Sequence, residues 1–253
     1  MLSVIIVAKN EAHNIVDCVH SCSFADEILV FDSGSIDGTA DLARQAGAKV
    51  LETDWPGYGP QQQRGIAAAS GEWVLSLDAD ERISPELQQE ILQAIARPLA
   101  DGYRLPRLST FCGQFIHHSG WRPDYTLRLV RRQKAGFTDH FLHAHMTVQG
   151  SQADLQHPII HYSYRDLRDV LDKLDRYSSG NALDMAKRSL PSKGLGQALS
   201  HGIWAFIRTY VLRAGFLDGS AGLMLAIYNA ECTYYKYLKY RELLDQRGAG
   251  KVT

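Results

Sequence analysis

Residues 71–82 read Gly71-Glu72-Trp73-Val74-Leu75-Ser76-Leu77-Asp78-Ala79-Asp80-Glu81-Arg82. From Trp73 to Leu77 only Ser76 is polar, which suits a central strand covered on both faces. The run then stops abruptly in acids. In an open α/β sheet ligands sit outside the carboxyl ends of the strands, so Asp78 and Asp80 fall at the mouth of a site. Two carboxylates at i and i+2 can approach one divalent cation, and hard oxygen ligands suit Mg2+ or Mn2+. Such a cation neutralises a diphosphate during transfer chemistry. Asp-x-Asp alone is a common pattern, and Asp80-Glu81 reads equally as acids near the N-terminus of the next helix.

Upstream, the chain repeats one unit. Ser3 to Ala8 is an apolar strand, and Asn10 is an N-cap candidate for a helix from about Glu11 to Cys22. Glu27 to Phe31 is a second strand; it runs into Asp32-Ser33-Gly34-Ser35-Ile36-Asp37-Gly38-Thr39, a small polar turn that opens a helix through about Ala46. Lys49 to Glu52 is a short third strand, Gly57 to Pro60 a loop, and Gln61 to Ala69 a helix halted by Ser70-Gly71. After the acids, Ser84-Pro85 starts another helix with an N-cap serine and a proline in the first turn. Strands alternating with helices of this length make a doubly wound, mostly parallel sheet.

The texture changes after Arg97-Pro98. Gly102 to Leu108, Tyr125 to Val130 and Ile159 to Tyr162 read as strands, and Thr138 to Val148 is rich in histidine. From Arg165 onward the apolar period is helical, with further helices over Gly196–Leu212 and Ser220–Leu244. These readings divide the chain into a catalytic part, 1–162 (a nucleotide-binding portion 1–97 and an acceptor-side portion 98–162), and a helical extension, 163–253.

The 253 residues are 45% hydrophobic and 22% charged, an ordinary globular composition. Net charge is −1, but residues 1–162 hold 13 Lys+Arg against 19 Asp+Glu, and 163–253 hold 14 against 9. An acidic first part with a basic tail suggests that the tail meets a membrane surface, a phosphorylated lipid or nucleic acid, unless the asymmetry is merely solvated helix surface. No signal peptide is read at Met1, and no window reaches the 18 apolar residues of a transmembrane helix. Four cysteines do not make a disulfide scaffold in a chain of this size, so a reducing cytoplasm is expected. Cys18 and Cys22 at i and i+4 permit a shared metal but read more simply as packing.

Four ordered stretches, SVIIVAKNE, FDSGSIDGT, QQQRG and LSLDADE, resemble the family 2 inverting glycosyltransferases. Further on, GWRPDYTLRLVRR and RAGFLDGSAGLMLAIYNAE resemble the branch that adds β-linked glucose to a heptose of the lipopolysaccharide inner core. The resemblance implies a Rossmann-like, nucleotide-sugar-binding glycosyltransferase A-type fold with a mostly parallel sheet and a C-terminal helical extension. It also implies a UDP-hexose donor, a lipopolysaccharide-core acceptor (the alternative being another lipid-linked glycan or a protein), Mg2+ or Mn2+ as cofactor, and no nucleic acid. One departure stands out: relatives commonly carry His-Glu where this chain has His143-Ala144-His145.

Under that resemblance Asp32 accepts from a uracil N–H or a ribose hydroxyl, its alternative being a helix cap. Asn10, Glu11 and Ser35 line the neighbouring strand ends, and Glu11 also holds ribose. Asp78 contacts ribose or donor sugar, while Asp80 ligates the metal, with His143 and His145 as further ligands or structural histidines. Arg64 meets donor phosphate or sugar, or forms a surface ion pair. Inversion needs a carboxylate to take the acceptor's proton, and Asp124 is that base unless it is a turn residue after Pro123. Trp121 stacks on an acceptor sugar; Arg128, Arg131 and Arg132 engage acceptor phosphates, though alternation along a strand keeps them from all facing one way.

Two rival classes remain. A nucleotidyltransferase would also use acids and a metal, but its basic Gly-rich loop near the N-terminus is absent; a non-catalytic nucleotide-sugar-binding protein would not need Asp78, Asp80 and Asp124 intact. In the tail, Trp204, Phe206, Ile207, Tyr210 and Val211 mix with Arg208 and Arg213, and Tyr234 to Arg241 alternates Tyr and Lys. Such segments bind anionic membrane peripherally, here on the cytoplasmic face of the inner membrane, or pack against the protein.

Overall fold

A computed structural model describes residues 1–137, 145–190 and 194–248. In chain order the strands are β1 (Leu2–Ala8), β2 (Glu27–Asp32), β3 (Lys49–Glu52), β4 (Trp73–Asp78), β5 (Glu81–Ile83), β6 (Gly102–Phe111), β7 (Gln114–Phe115), β8 (Tyr125–Arg131), β9 (Ala135–Phe137), β10 (Met146–Val148), β11 (Gln152–Asp154) and β12 (Ile159–Tyr164). The helices are α1 (Ile15–Ser21), α2 (Thr39–Gln45), α3 (Tyr58–Ala68), α4 (Pro85–Ala96), α5 (Leu167–Lys187), α6 (Leu195–Ile207) and α7 (Gly219–Gly248). The chain divides into two compact units: Met1–Leu108 with Pro123–His161, and Ser109–Arg122 with Tyr162–Thr253.

In the first unit β3, β2, β1 and β4 lie side by side and parallel. β8 then adds antiparallel to β4, and β6 antiparallel to β8. The sheet is therefore mixed beyond its mostly parallel half. The fold is α/β, followed by C-terminal helices, as the sequence reading expects. Register positions the acids: Ala8 pairs with Asp32 and Val7 with Asp78, so both aspartates stand on one edge of the sheet.

Alternation along the strands sends side chains to two cores, as a sheet covered on both faces requires. Val4, Ile6, Val30, Leu75 and Leu77 pack with Ile15, Val19 and Leu87 from the helices on one face. Ile5, Leu29, Phe31, Val74 and Val130 pack with Ile66 and Met146 on the other. Cys18 and Cys22 are fully buried in the first of these cores. α3 approaches β1 so closely that a Cβ at Gly65 would lie 2.8 Å from Ile5 Cδ1, which is why this turn of the helix needs glycine.

The Ser84 cap forms as read from sequence, its side chain accepting from Leu87 N with Pro85 in the first turn. The Asn10 cap does not. Asn10 sits at φ +56, the left-handed region, and α1 begins only at Ile15. The histidine-rich stretch Thr138–Val148 is described only from His145 onward, with Met146–Val148 forming β10 paired to β9; residues 138–144 lie outside the described residues.

In the second unit α7 packs on both α5 and α6. Phe111, Ile116, Tyr164, Val170, Leu174, Leu225 and Tyr228 form its main core. Asp166 caps α5, accepting from Asp169 N at 2.9 Å. After α6 a π turn (Arg208–Leu212) and a 3-10 turn (Gly215–Asp218) lead into α7, where the sequence reading has a break between two helices.

Candidate active site

The first element of the site is a clasp between the loops after β1 and β2. Asn10 N donates to Ser35 Oγ (2.8 Å), Ile36 N to Asn10 Oδ1 (3.0 Å) and Glu11 N to Thr39 Oγ1 (2.8 Å). The left-handed backbone of Asn10 lets its amide and side chain face the same partner loop, a conformation that Asn tolerates better than most residues. Asp32 closes the turn: its Oδ1 accepts from Gly34 N (3.1 Å) and Ser35 N (2.9 Å). Its other oxygen, Oδ2, is buried and has no hydrogen-bond partner. A buried carboxylate oxygen without a donor costs free energy, and this one is free to accept from an N–H or O–H that reaches it. Beside it, fully buried Gln61 donates to Ser33 Oγ at 3.1 Å and to Thr53 Oγ1. Arg64 is paired with Asp54 at 2.5 Å and also donates to Gln61 Oε1.

The second element is a knot of charge at the end of β4. Glu81 is completely buried, accepting from Asp78 N at 2.9 Å and from Arg128 Nη2 at 3.0 Å. The same Arg128 nitrogen donates to Asp78 Oδ2 at 2.6 Å. Arg82 locks the turn, donating to the carbonyls of Ala79 and Glu81 and, at 2.7 Å, to that of Asn14. Burial would push the Asp78 carboxyl up, but the Arg128 guanidinium outweighs it and holds the group below the ordinary carboxylate range. At Glu81 burial wins, reinforced by the Asp78 charge, and the carboxyl is held above that range. Two acids three residues apart are thereby driven in opposite directions, the arrangement that keeps one of them anionic.

Two further contacts complete the unit. β12 pairs His161 with Glu81 across β5, which brings His161 Nε2 to 3.3 Å from Asp80 Oδ2. Arg107 donates through Nε (2.9 Å) and Nη2 (2.6 Å) to Asp124 Oδ2, and its backbone N–H donates to the Asp124 carbonyl. Both side-chain bonds end on Oδ2. A cleft of about 760 Å³ opens here, lined by Gln62, Ser76, Asp78, Tyr125, Thr126, Arg128 and His145 among others. Within it the Thr126 hydroxyl is buried without a partner.

The structure thus gathers Asn10, Glu11, Asp32 and Ser35 on one loop pair, and Asp78 with Arg128 at one strand end. Three readings meet surroundings the sequence did not show. Arg128 lines the cleft, but its side chain is 13% exposed and held by Asp78 and Glu81. Arg131 is turned to Glu72 and Asp101, and Arg132 Nε donates to Gly71 O, so neither of these is directed to a phosphate. Trp121 belongs to the second unit, packed with Phe111 and Tyr164 in an aromatic cluster. His145 stands exposed at the cleft, and His143 lies outside the described residues. Sequence reasoning missed three residues: Glu81, taken as a helix neighbour; Arg107, 17 positions from its partner; and His161. The available signal was a titratable residue inside each of three strands: Glu81 in β5, Arg107 in β6 and His161 in β12.

The profile of glycosyl transferase family 2 matches residues 3–154. An uncharacterized glycosyltransferase of Rickettsia felis is 28% identical over 96% of this chain and 90% of its own length. The lipopolysaccharide core biosynthesis glycosyltransferase LpsC of Rhizobium meliloti is 26% identical over 96% of each chain. Among solved structures, S. aureus TarS superposes with a TM-score of 0.49 at 17% identity, covering 98% of this chain and 91% of that one. With the family profile spanning more than half of the sequence, the chain belongs to glycosyl transferase family 2, and it is a glycosyltransferase.

Proposed function

We propose that this glycosyltransferase moves a hexose, glucose from UDP-glucose, with inversion onto a heptose of a lipopolysaccharide inner core. The observation that carries the donor half is Asp32 Oδ2, a buried acceptor without a donor at the carboxyl edge of the sheet. The imide N–H of uracil supplies a matching donor, and the neighbouring clasp of Asn10, Glu11 and Ser35 surrounds the ribose. The acceptor half is supported by similarity to LpsC along almost the whole chain.

Mg2+ or Mn2+ fits the residues present. Among the described residues no three His, Cys, Asp or Glu side chains gather into a closed metal cage. Mg2+ does not require one, since it commonly takes one or two carboxylates and completes its shell with substrate phosphates and water. Asp80, with His161 at its side, would hold it. When bound, the cation offsets the charge that develops on the diphosphate.

Asp78, kept anionic by Arg128 and lining the cleft, orients the donor sugar. The acceptor hydroxyl attacks the anomeric carbon from the face opposite the diphosphate. The new C–O bond forms as the bond to the β-phosphate oxygen breaks, and that electron pair leaves with UDP. The hydroxyl proton goes to Asp124 Oδ1 and then to water. Arg107 holds the other Asp124 oxygen and thereby fixes the carboxylate's direction.

A panel of radiolabelled nucleotide sugars offered to core-truncated lipopolysaccharides tests this reading. Label from UDP-glucose should enter a heptose-terminated core in β linkage. Transfer of a different sugar would replace the donor assignment. Absence of both transfer and donor hydrolysis would leave only a binding protein.

A further inference from the structure

Helix α6 has its side chains inside out for a helix surrounded by water. Its buried row is small: Ala198, Gly202 and Ala205, continued by Thr209 in the π turn. A Cβ on Gly202 would lie 3.3 Å from the Ala230 carbonyl oxygen of α7, so the contact favours a residue without bulk. Its outer row is large. Leu199 is 49% exposed, Ile203 60%, Trp204 53% and Val211 53%, and Leu212, Phe216 and Leu217 continue the surface around the turn. A helix in water buries its large apolar residues and shows polar ones. Small residues at the helix contact with large ones outward is the pattern of helices packed in lipid.

Charge identifies the occupant. Between Arg188 and Ala230 the sequence holds a single acid, Asp218. Its side chain is 2% exposed and engaged by His118 and Ser119. The charges that α6 and its turn do show are Arg208 and Arg213, both exposed. A second copy of the chain would set this basic patch against itself across a twofold interface, like charge on like. An anionic lipid surface meets both the apolar row and the arginines. No single described helix is long and apolar enough to cross a membrane. The segments Leu195–Leu212 and Gly215–Gln246, bent by 72° where they meet, reach that length and composition only together.

We propose that α6 and the turn through Leu217 insert into the interfacial zone of an anionic bilayer, with the Leu199–Val211 row among the acyl chains and Arg208 and Arg213 at the phosphates. The tyrosine-rich part of α7 takes no part. Of the tyrosines there only Tyr235 is exposed, Tyr240 is buried, and Lys239 is tied to Asp175, Ser178 and Ser179. The proposal does not depend on which sugar or acceptor the enzyme uses.

The test is co-sedimentation of the full chain with vesicles of phosphatidylglycerol and phosphatidylethanolamine, against phosphatidylcholine vesicles, at low and high salt. Wild type should bind the anionic vesicles at low salt and release at high salt. Ile203→Ser combined with Phe216→Ser should weaken that binding more than about tenfold, because two buried apolar side chains are lost. Arg208→Glu should weaken it at least about fivefold on anionic vesicles and not on neutral ones. Circular dichroism and thermal melting report whether each variant is folded. If the double variant does not fold, brominated acyl chains should quench Trp204 emission in otherwise native protein, and Trp204→Phe should lose that component. Failure of wild type to bind anionic vesicles at low salt overturns the proposal, as does undiminished binding by the folded double variant. A lipid-free dimer that the same two substitutions dissociate would assign the surface to a second copy instead.

Discussion

At the end of β4, Glu81 is fully buried and Arg128 nearly so, whereas on α6 Ile203 and Trp204 stand more than half exposed. Each region reverses the usual partition of a folded chain. A buried ion pair returns little net stability after desolvation. An exposed Leu or Ile forgoes about 1.5–3 kcal/mol of burial. Neither pattern follows from folding alone, and buried charge and exposed apolar surface are the informative departures in any structure. The first unit has concentrated charge where we place a charged donor. The second has kept greasy surface where we place lipid.

The comparison is broken most sharply at the acids. Asp80→Ala should drop transfer below detection, because loss of the cation's charge compensation costs several kcal/mol of barrier. Its melting temperature should stay near wild type, since no hydrogen bond joins Asp80 to Glu81 or Arg128 and its ion pair with His161 is partly exposed. Full turnover by this variant, or by wild type purified free of metal and held in excess EDTA, would remove the cation from the account. Asp124→Asn comes next: turnover should fall ~10²–10⁴-fold with donor affinity nearly unchanged. A variant that keeps most of its turnover would move the base elsewhere, with Asp139 as the next residue to substitute.

Arg128→Met sharpens the structural side. It removes the guanidinium that donates to both Glu81 and Asp78, leaving Arg107 3.8 Å from Glu81 Oε1, and breaking a buried pair in this way costs roughly 3–5 kcal/mol. Adding Glu81→Gln should recover part of the loss, which a denaturant double-mutant cycle measures. By contrast, Ile203→Ser in the second unit should change stability little. Equal losses at the two places would mean that the α6 row is covered within the folded protein after all.

What the sequence made legible follows from how local each signal is. β3 lies at Lys49–Glu52 as read, and Ser84 caps α4, because strand period and cap chemistry are written within a few residues. Asn10 misled because its bonds run forward to Ser35 and Ile36 rather than to the helix that follows. Asp32 and the Asp78–Asp80 pair were found because they terminate apolar runs. Glu81, Arg107 and His161 were not, since each acquires its meaning from a strand paired across the sheet. The outward row of α6 shows the same limit: Leu199 and Ala198 are equally apolar in sequence, and only packing reveals which of them is buried.

The smallest predicted effect concerns pH in the second unit. Asp218 is drawn down from the ordinary carboxylate range; burial opposes this, but Ser119, His117 and His118 all donate to it. Its folded value lies below its unfolded one, so its contribution is present above the ordinary carboxylate range and fades as pH falls through the folded value. Asp218→Asn should therefore lower stability at neutral pH by roughly 1–3 kcal/mol and flatten the acid limb of the stability curve. An unchanged acid limb would assign that loss of stability to other carboxylates.

The central claim, that the paired strand ends form a uridine-nucleotide site, is tested most directly by calorimetric titration of UDP and CDP into wild type and Asp32→Asn. Asn keeps Oδ1 for Gly34 and Ser35 but replaces the unpartnered Oδ2 with a donor. Wild type should prefer UDP, and the substitution should weaken UDP about 10- to 100-fold, the worth of a hydrogen bond to a charged group, while CDP gains on it. Equal affinity of wild type for the two nucleotides, unchanged by the substitution, would contradict the account.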